Sequence, residues 1–266
     1  MKIILALLFT FSLGIHASEL ACQKTIEETE SYTHCLNKYD FYPRPIHFFI
    51  PKNLNASIPR HLFVHFHGHN LNGYDHFKRT TIPGEGYGDY GYFLADSGAS
   101  GILVIPESLG NCTSYDQYFS SIINTNLFFS KIKEMTSTNE NIHLSGHSGA
   151  YRVLNRITGY VVANKLNAIS KINSLGLFDA TYGQVPAIEK WLQLNLKENN
   201  QFYFMNAFVS GEKATAEPIS RELMKKYHDQ RIDMLPIKSN KNESISEQHF
   251  MTLKRAGLTL FFQKIE

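Results

Sequence analysis

Gly146-His147-Ser148-Gly149-Ala150 is the stretch on which the reading of this chain turns. Before it, Asn141-Ile142-His143-Leu144-Ser145 reads as a short strand. After it, residues from Ala150 to about Lys165 carry a helical stripe of Leu154, Ile157 and Val161. A serine between small residues at a strand-to-helix reversal is the arrangement of an elbow that lifts its hydroxyl above the end of a sheet. So tight a turn leaves no room for flanking side chains. Ala150 stands where glycine is usual, a small and tolerable departure. At roughly 7% glycine such a pentapeptide arises by chance in about one chain in five of this length, so its context has to decide.

That context is a run of strands alternating with helices. Upstream, Ile46 to Ile50 and His61 to Phe66 read as strands, the second running into His67-Gly68-His69-Asn70. A glycine- and tyrosine-rich loop from Leu71 to Ser100 contains a short helix around Asp89 to Asp96. Ile102 to Pro106 is a wholly apolar strand of the kind buried in parallel sheets. Tyr118, Phe119, Ile122, Ile123, Leu127 and Ile132 recur at the spacing of one helix. Downstream, strands are expected at Leu175–Phe178, Phe202–Val209 and Ile232–Ile237, and helices at Pro186–Leu196 and Pro218–Tyr227. A final helix is expected from Phe250. The pattern predicts an α/β domain with a mostly parallel sheet covered on both faces. Residues Ser18 to Tyr42 read as an irregular extension with a short polar helix around Thr25 to Tyr32.

The chain has 266 residues, 43% of them hydrophobic and 19% charged, which suits one substantial domain with an ample core. A net charge of +2 gives no electrostatic case for nucleic acid or an anionic membrane as partner. Met1 to Ala17 combine Lys2 with an apolar stretch from Ile3 to Ile15. That is the form of a signal peptide and is too short for a membrane span of about 20 apolar residues. Export to the periplasm or the medium is expected, with residues 18–266 as the mature domain. In an oxidising compartment Cys22 and Cys35 can pair, leaving Cys112, or Cys112 can pair with one of them; the remaining alternative is that all three stay reduced. The Asn-X-Ser/Thr triplets at Asn55, Asn111 and Asn242 matter only in a eukaryotic source.

A serine hydroxyl needs a base within hydrogen-bond reach, and the base needs an acid to orient it. In an open α/β sheet such groups gather at the carboxyl ends of strands. The chain offers Ser148, Asp179 and His249 there, in that order. With HFHGHN at 65–70, GHSGA at 146–150, FDATYG at 178–183 and EQH at 247–249, the chain resembles the α/β-hydrolase superfamily from about His47 to Phe262. Within it, the chain resembles secreted bacterial hydrolases with HGHN- and GHSGAYR-like signatures. The resemblance implies a serine hydrolase with Ser148 as nucleophile and His249, between the last strand and the final helix, as base. His228 precedes the last strand, on the wrong side of it. For the acid, Asp179 ends an apolar strand where a carboxylate has little structural purpose. Glu212, in a polar turn after the next strand, is the alternative.

The oxyanion hole then combines the Gly149 N–H with one from the loop after the His61–Phe66 strand. Gly68, His69 and Asn70 are the candidates for that donor, and His69 the preferred one. Tyr151 and Arg152, in the first turn of the elbow helix, contact substrate or merely pack. His65, His67 and His69 alternate along one strand and admit a second reading, a zinc site on one face. A third is a member of the fold that binds without catalysing. The serine reading needs no cofactor or metal and takes a small-molecule or polymer-borne ester, with the 71–100 loop and residues 182–201 shaping the pocket.

Overall fold

The computed structural model describes residues 20, 22–54, 61–68, 89–110, 112–138, 141–198, 200–211, 214–238, 244–254 and 257–265. Nine strands form one sheet: β1 (Lys24–Glu28), β2 (Tyr32–Tyr39), β3 (Tyr42–Pro51), β4 (His61–Phe66), β5 (Gly101–Pro106), β6 (Ile142–His147), β7 (Ser174–Phe178), β8 (Tyr203–Ser210) and β9 (Ile232–Lys238). Their order is β1-β2-β3-β5-β4-β6-β7-β8-β9. The pairings up to β3–β5 are antiparallel, and every pairing from β5 to β9 is parallel. The elbow strand β6 is therefore central, flanked by β4 and β7.

Helices cover both faces, as strands buried on both sides require. Along β5, Ile102 and Val104 enter one core while Leu103 and Ile105 enter the other. The first core also receives α2 (Asp116–Phe119), α3 (Ile122–Thr136), α4 (Tyr151–Val162), α5 (Pro186–Glu198) and α6 (Glu217–Lys226). The second receives α1 (Tyr90–Ser97), α7 (Ile245–Lys254) and α8 (Leu258–Gln263). Val153, Leu154, Ile157 and Val161 of α4 are all buried, so this stripe fixes the helix behind the elbow. Each such side chain contributes on the order of 1.5–3 kcal/mol by leaving water. No helix among the described residues is long and apolar enough to cross a membrane.

The structure departs from the sequence reading in three places. The stretch before Tyr42 is not an irregular extension with a polar helix: Lys24–Glu28 and Tyr32–Tyr39 are strands. β1 carries lysine and glutamates, as suits an edge strand protected from further pairing. β2 buries His34 and Asn37 beside Tyr32 and Cys35, and those polar residues broke the apolar alternation. Second, the single helix expected around Tyr118 to Ile132 is two. Ser121 is extended, with ψ 122°, and its side chain accepts from the Asn124 N–H to cap α3. Third, the final helix is preceded by α7, which already contains His249. The start of α7 is a capping box: Glu247 N–H donates to Ser244 Oγ at 3.2 Å, and Ser244 N–H to Glu247 Oε2 at 2.7 Å.

Cys22 and Cys35 are disulfide-bonded, tying the segment before β1 to β2. The amino-terminal residues read as a signal peptide, and the three Asn-X-Ser/Thr asparagines, lie outside the described residues.

Candidate active site

The register of the central strands builds the site. His147, the last residue of β6, pairs with Phe178, the last of β7. The residues that follow, Ser148 and Asp179, thus leave the sheet side by side. Both adopt positive φ, 58° for Ser148 and 43° for Asp179. Non-glycine residues take this conformation rarely and at a cost of roughly 1–3 kcal/mol, and such positions cluster at functional sites. Ser148 opens a 3-10 turn through Ala150 that leads straight into α4.

Two glycines make the turn possible. A Cβ on Gly146 would lie 2.8 Å from Leu154 Cδ1 and 3.0 Å from Ala150 Cβ. Ala150 is itself fully buried, so a methyl fits there. Across the site, a Cβ on Gly68 would stand 2.6 Å from His147 Nδ1 and 3.0 Å from Ser148 Cβ. Gly68, just after β4, therefore lies against the serine. His67 holds it there: its Nδ1 donates to the Gly68 carbonyl at 2.7 Å, and its Nε2 accepts from the Ser108 N–H at 3.0 Å. Gly149 lies in the opening turn of the helix, where N–H groups have no acceptor within the helix. His69 and Asn70, the other residues considered for the oxyanion hole, lie outside the described residues, as does Glu212.

His249 Nδ1 meets Asp179 Oδ2 at 2.5 Å. Asp179 Oδ1 accepts from the Val209 N–H at 3.1 Å, so both carboxylate oxygens have donors. His147 supports the imidazole from below. Its ring centroid is 4.1 Å from that of His249, and its Nε2 donates to the His249 carbonyl at 3.1 Å. Burial, then the neighbouring His249, holds the His147 ring well below the usual histidine range, so it is neutral. Tyr182 Oη lies 3.0 Å from both Asp179 Oδ2 and His249 Nδ1.

The structure thus brings Ser148, Asp179, His249, Gly149 and Gly68 together, and it keeps His228 exposed beyond α6. Of the histidines read as a metal-binding row, His65 and His67 face different neighbours, and His69 lies outside the described residues. His65 packs on Tyr90 and bonds Ser145 Oγ at 2.9 Å, while His67 turns to Tyr115 with both ring nitrogens engaged. Among the described residues no group of three His, Cys, Asp or Glu side chains is disposed to hold a metal ion. Tyr151 and Arg152 line a groove of about 560 Å³ along α4, with Arg152 Nε donating to Tyr151 Oη at 3.3 Å.

Sequence reasoning missed His67, His147 and Tyr182 as parts of this constellation. Each lay inside a quoted motif, but nothing in a motif says which neighbour's ring a side chain meets.

No protein-family model matches the chain, and no curated protein matches it. Solved structures do. A mutant of the feruloyl esterase module from Clostridium thermocellum, complexed with sinapinate, aligns with a TM-score of 0.58 at 9% identity over 93% of each chain. An S-formylglutathione hydrolase from Agrobacterium tumefaciens gives 0.53 at 10% identity, over 90% of this chain and 98% of that one. Carboxyl esterase 2 from the mycorrhizal fungus Tuber melanosporum gives 0.52 at 9% identity, over 92% and 88%. The likeness is one of fold: the chain has the α/β-hydrolase fold that its motifs led us to expect.

Proposed function

We propose that this chain is an exported serine hydrolase that cleaves an ester through an acyl-enzyme on Ser148. The observation that carries the reading is the strained Ser148, at φ 58°, beside a His249–Asp179 pair at 2.5 Å. Ser148 Oγ attacks the carbonyl while His249 Nε2 takes its proton, the hydrogen bond between them closing as substrate engages. Asp179 holds Nδ1–H and so leaves Nε2 as the basic nitrogen. The developing oxyanion faces the Gly149 N–H and the loop that Gly68 brings against the serine. His249 then returns the proton to the leaving oxygen, and water repeats the cycle to release the acid.

An ester is favoured over an amide because an alkoxide leaves without the dependable protonation an amine requires. The esterase names of the similar structures run the same way. The apolar segment from Ile3 to Ile15 and the Cys22–Cys35 disulfide support export. Purified protein should hydrolyse p-nitrophenyl acetate, and Ser148→Ala should lower the rate by about 10³-fold or more with thermal unfolding unchanged. Undiminished hydrolysis by the alanine variant overturns the proposal.

A further inference from the structure

We infer that Tyr182 is a positioning residue of this site, its hydroxyl sharing with His249 the Asp179 oxygen that orients the imidazole. The inference rests on the serine-hydrolase reading above. A carboxylate can only accept and a phenol has one proton to give, so the 3.0 Å contact from Tyr182 Oη to Asp179 Oδ2 is a donation from tyrosine. His249 Nδ1–H donates to the same oxygen at 2.5 Å. Oδ2 thus carries both donors, while Oδ1 is taken by the Val209 N–H. The plane of the carboxylate is fixed from three sides.

The phenol keeps its proton. Burial, then the charge of Asp179 and the hydrogen bond to it, push the Tyr182 hydroxyl far above the ordinary tyrosine range, and hydrogen bonding with Thr215 and Ser148 opposes this only partly. Ser148 therefore also lies within the influence of this hydroxyl. Tyr182 is 38% exposed, and its ring meets the His249 ring edge-on at 5.9 Å. Its neighbours in the loop are nonetheless held. Thr181 Oγ1 bonds the Ala216 carbonyl at 2.9 Å and Ser220 Oγ at 2.5 Å. Gly183 lies so close under Tyr151 that a Cβ would be 2.8 Å from its hydroxyl. An exposed aromatic on an anchored loop, aimed at acid and base together, is placed by its hydroxyl.

The consequence has a sign. A hydrogen bond donated to Oδ2 draws charge from the oxygen that stabilises a protonated His249 ring. Without it, Oδ2 favours the protonated ring more strongly, and the base is idle up to a higher pH. The titratable groups facing that ring are Asp179 and Tyr182 from the segment after β7 and the neutral His147 from β6. Glu247, in the first turn of α7, is exposed and held by Ser244.

The test is the rate of inactivation by a fluorophosphonate across about pH 5 to 9, which reads the base without knowledge of the substrate. Tyr182→Phe removes one hydroxyl, keeps the ring and will fold. Its acid limb should move up by about half a unit to one unit of pH, with a plateau within roughly tenfold of the parent. In an Asp179→Asn background the same change should do nothing further, because Tyr182 acts through Asp179. An unshifted limb, or an equal loss in that background, overturns the inference. A parent protein that takes no label at Ser148 overturns the serine reading and this inference together. A labelled parent with an unshifted Tyr182→Phe profile sinks the inference alone.

Discussion

Among the described residues two histidine–carboxylate pairs differ sharply in their surroundings. In the first, His249 meets Asp179 at 2.5 Å, its side chain 20% exposed, with the positive-φ Ser148 alongside. In the second, His47 Nε2 meets Glu107 Oε1 at 3.1 Å inside the sheet, wholly buried. His47 passes its other nitrogen to His34 at 2.9 Å, and Glu107 takes Arg44 at 2.9 Å. Burial opposes the charge of Glu107, but the His47 and Arg44 hydrogen bonds together hold its carboxyl below the usual range. Burial pushes His34 down to about 3, with His47 adding to it. The second pair ties β2, β3 and the end of β5 together. The comparison teaches that an imidazole against a carboxylate is a structural device as readily as a catalytic one. On the function proposed above, what separates them is a serine held in a strained turn and a ring that solvent can reach.

The sharpest way to break the comparison is to spoil each pair in turn. Asp179→Asn keeps a hydrogen bond to His249 but favours the wrong tautomer, and in the serine-protease template such a change lowers kcat by about 10⁴. Measured on p-nitrophenyl acetate, a loss of only a few-fold would remove Asp179 from the role of acid. His47→Gln, by contrast, should leave the rate within about threefold. It should lower the free energy of unfolding in urea by about 1–3 kcal/mol, the cost of a buried polar group left without its partner. A collapse of activity in a well-folded His47→Gln protein would erase the distinction between the pairs.

A smaller effect sharpens it further. His34 and His65 are each pushed down to about 3, both chiefly by burial. In the unfolded chain they titrate near 6.5. Between these values the unfolded state binds more protons, so stability is intact above about pH 6.5 and falls as pH drops toward 3. The slope approaches about 1.4 kcal/mol per pH unit for each histidine. Urea midpoints taken down from neutral pH should show this, with His34→Gln removing one histidine's share. Midpoints that stay level between about pH 6.5 and 5 would contradict the burial of these rings.

Most of the parallel sheet was legible because its strands are short, apolar and separated by helices with clear stripes, as with Ile102–Ile105 and Leu154, Ile157 and Val161. The elbow was legible for a related reason: only small residues fit around Ser148. The amino-terminal strands were not, because β1 is a charged edge and β2 buries His34 and Asn37 in place of apolar side chains. The start of α7 was open to reading in Ser244-Ile245-Ser246-Glu247, a capping box the apolar pattern did not announce. Strand register sets Ser148 beside Asp179 through His147 and Phe178, and His249 reaches Asp179 from α7. His67 and Tyr182 were hidden for another reason. Their roles depend on which ring nitrogen or oxygen they face, and no spacing in the chain encodes that.

On the proposed function, the pair beside Ser148, and not the one between His47 and Glu107, serves a nucleophile. The direct measurement is labelling of the folded protein with a fluorophosphonate, followed by mapping of the adduct. One adduct is expected, on Ser148, absent from Ser148→Ala and much slowed in Asp179→Asn. An adduct on another serine, or none in folded protein, would contradict it.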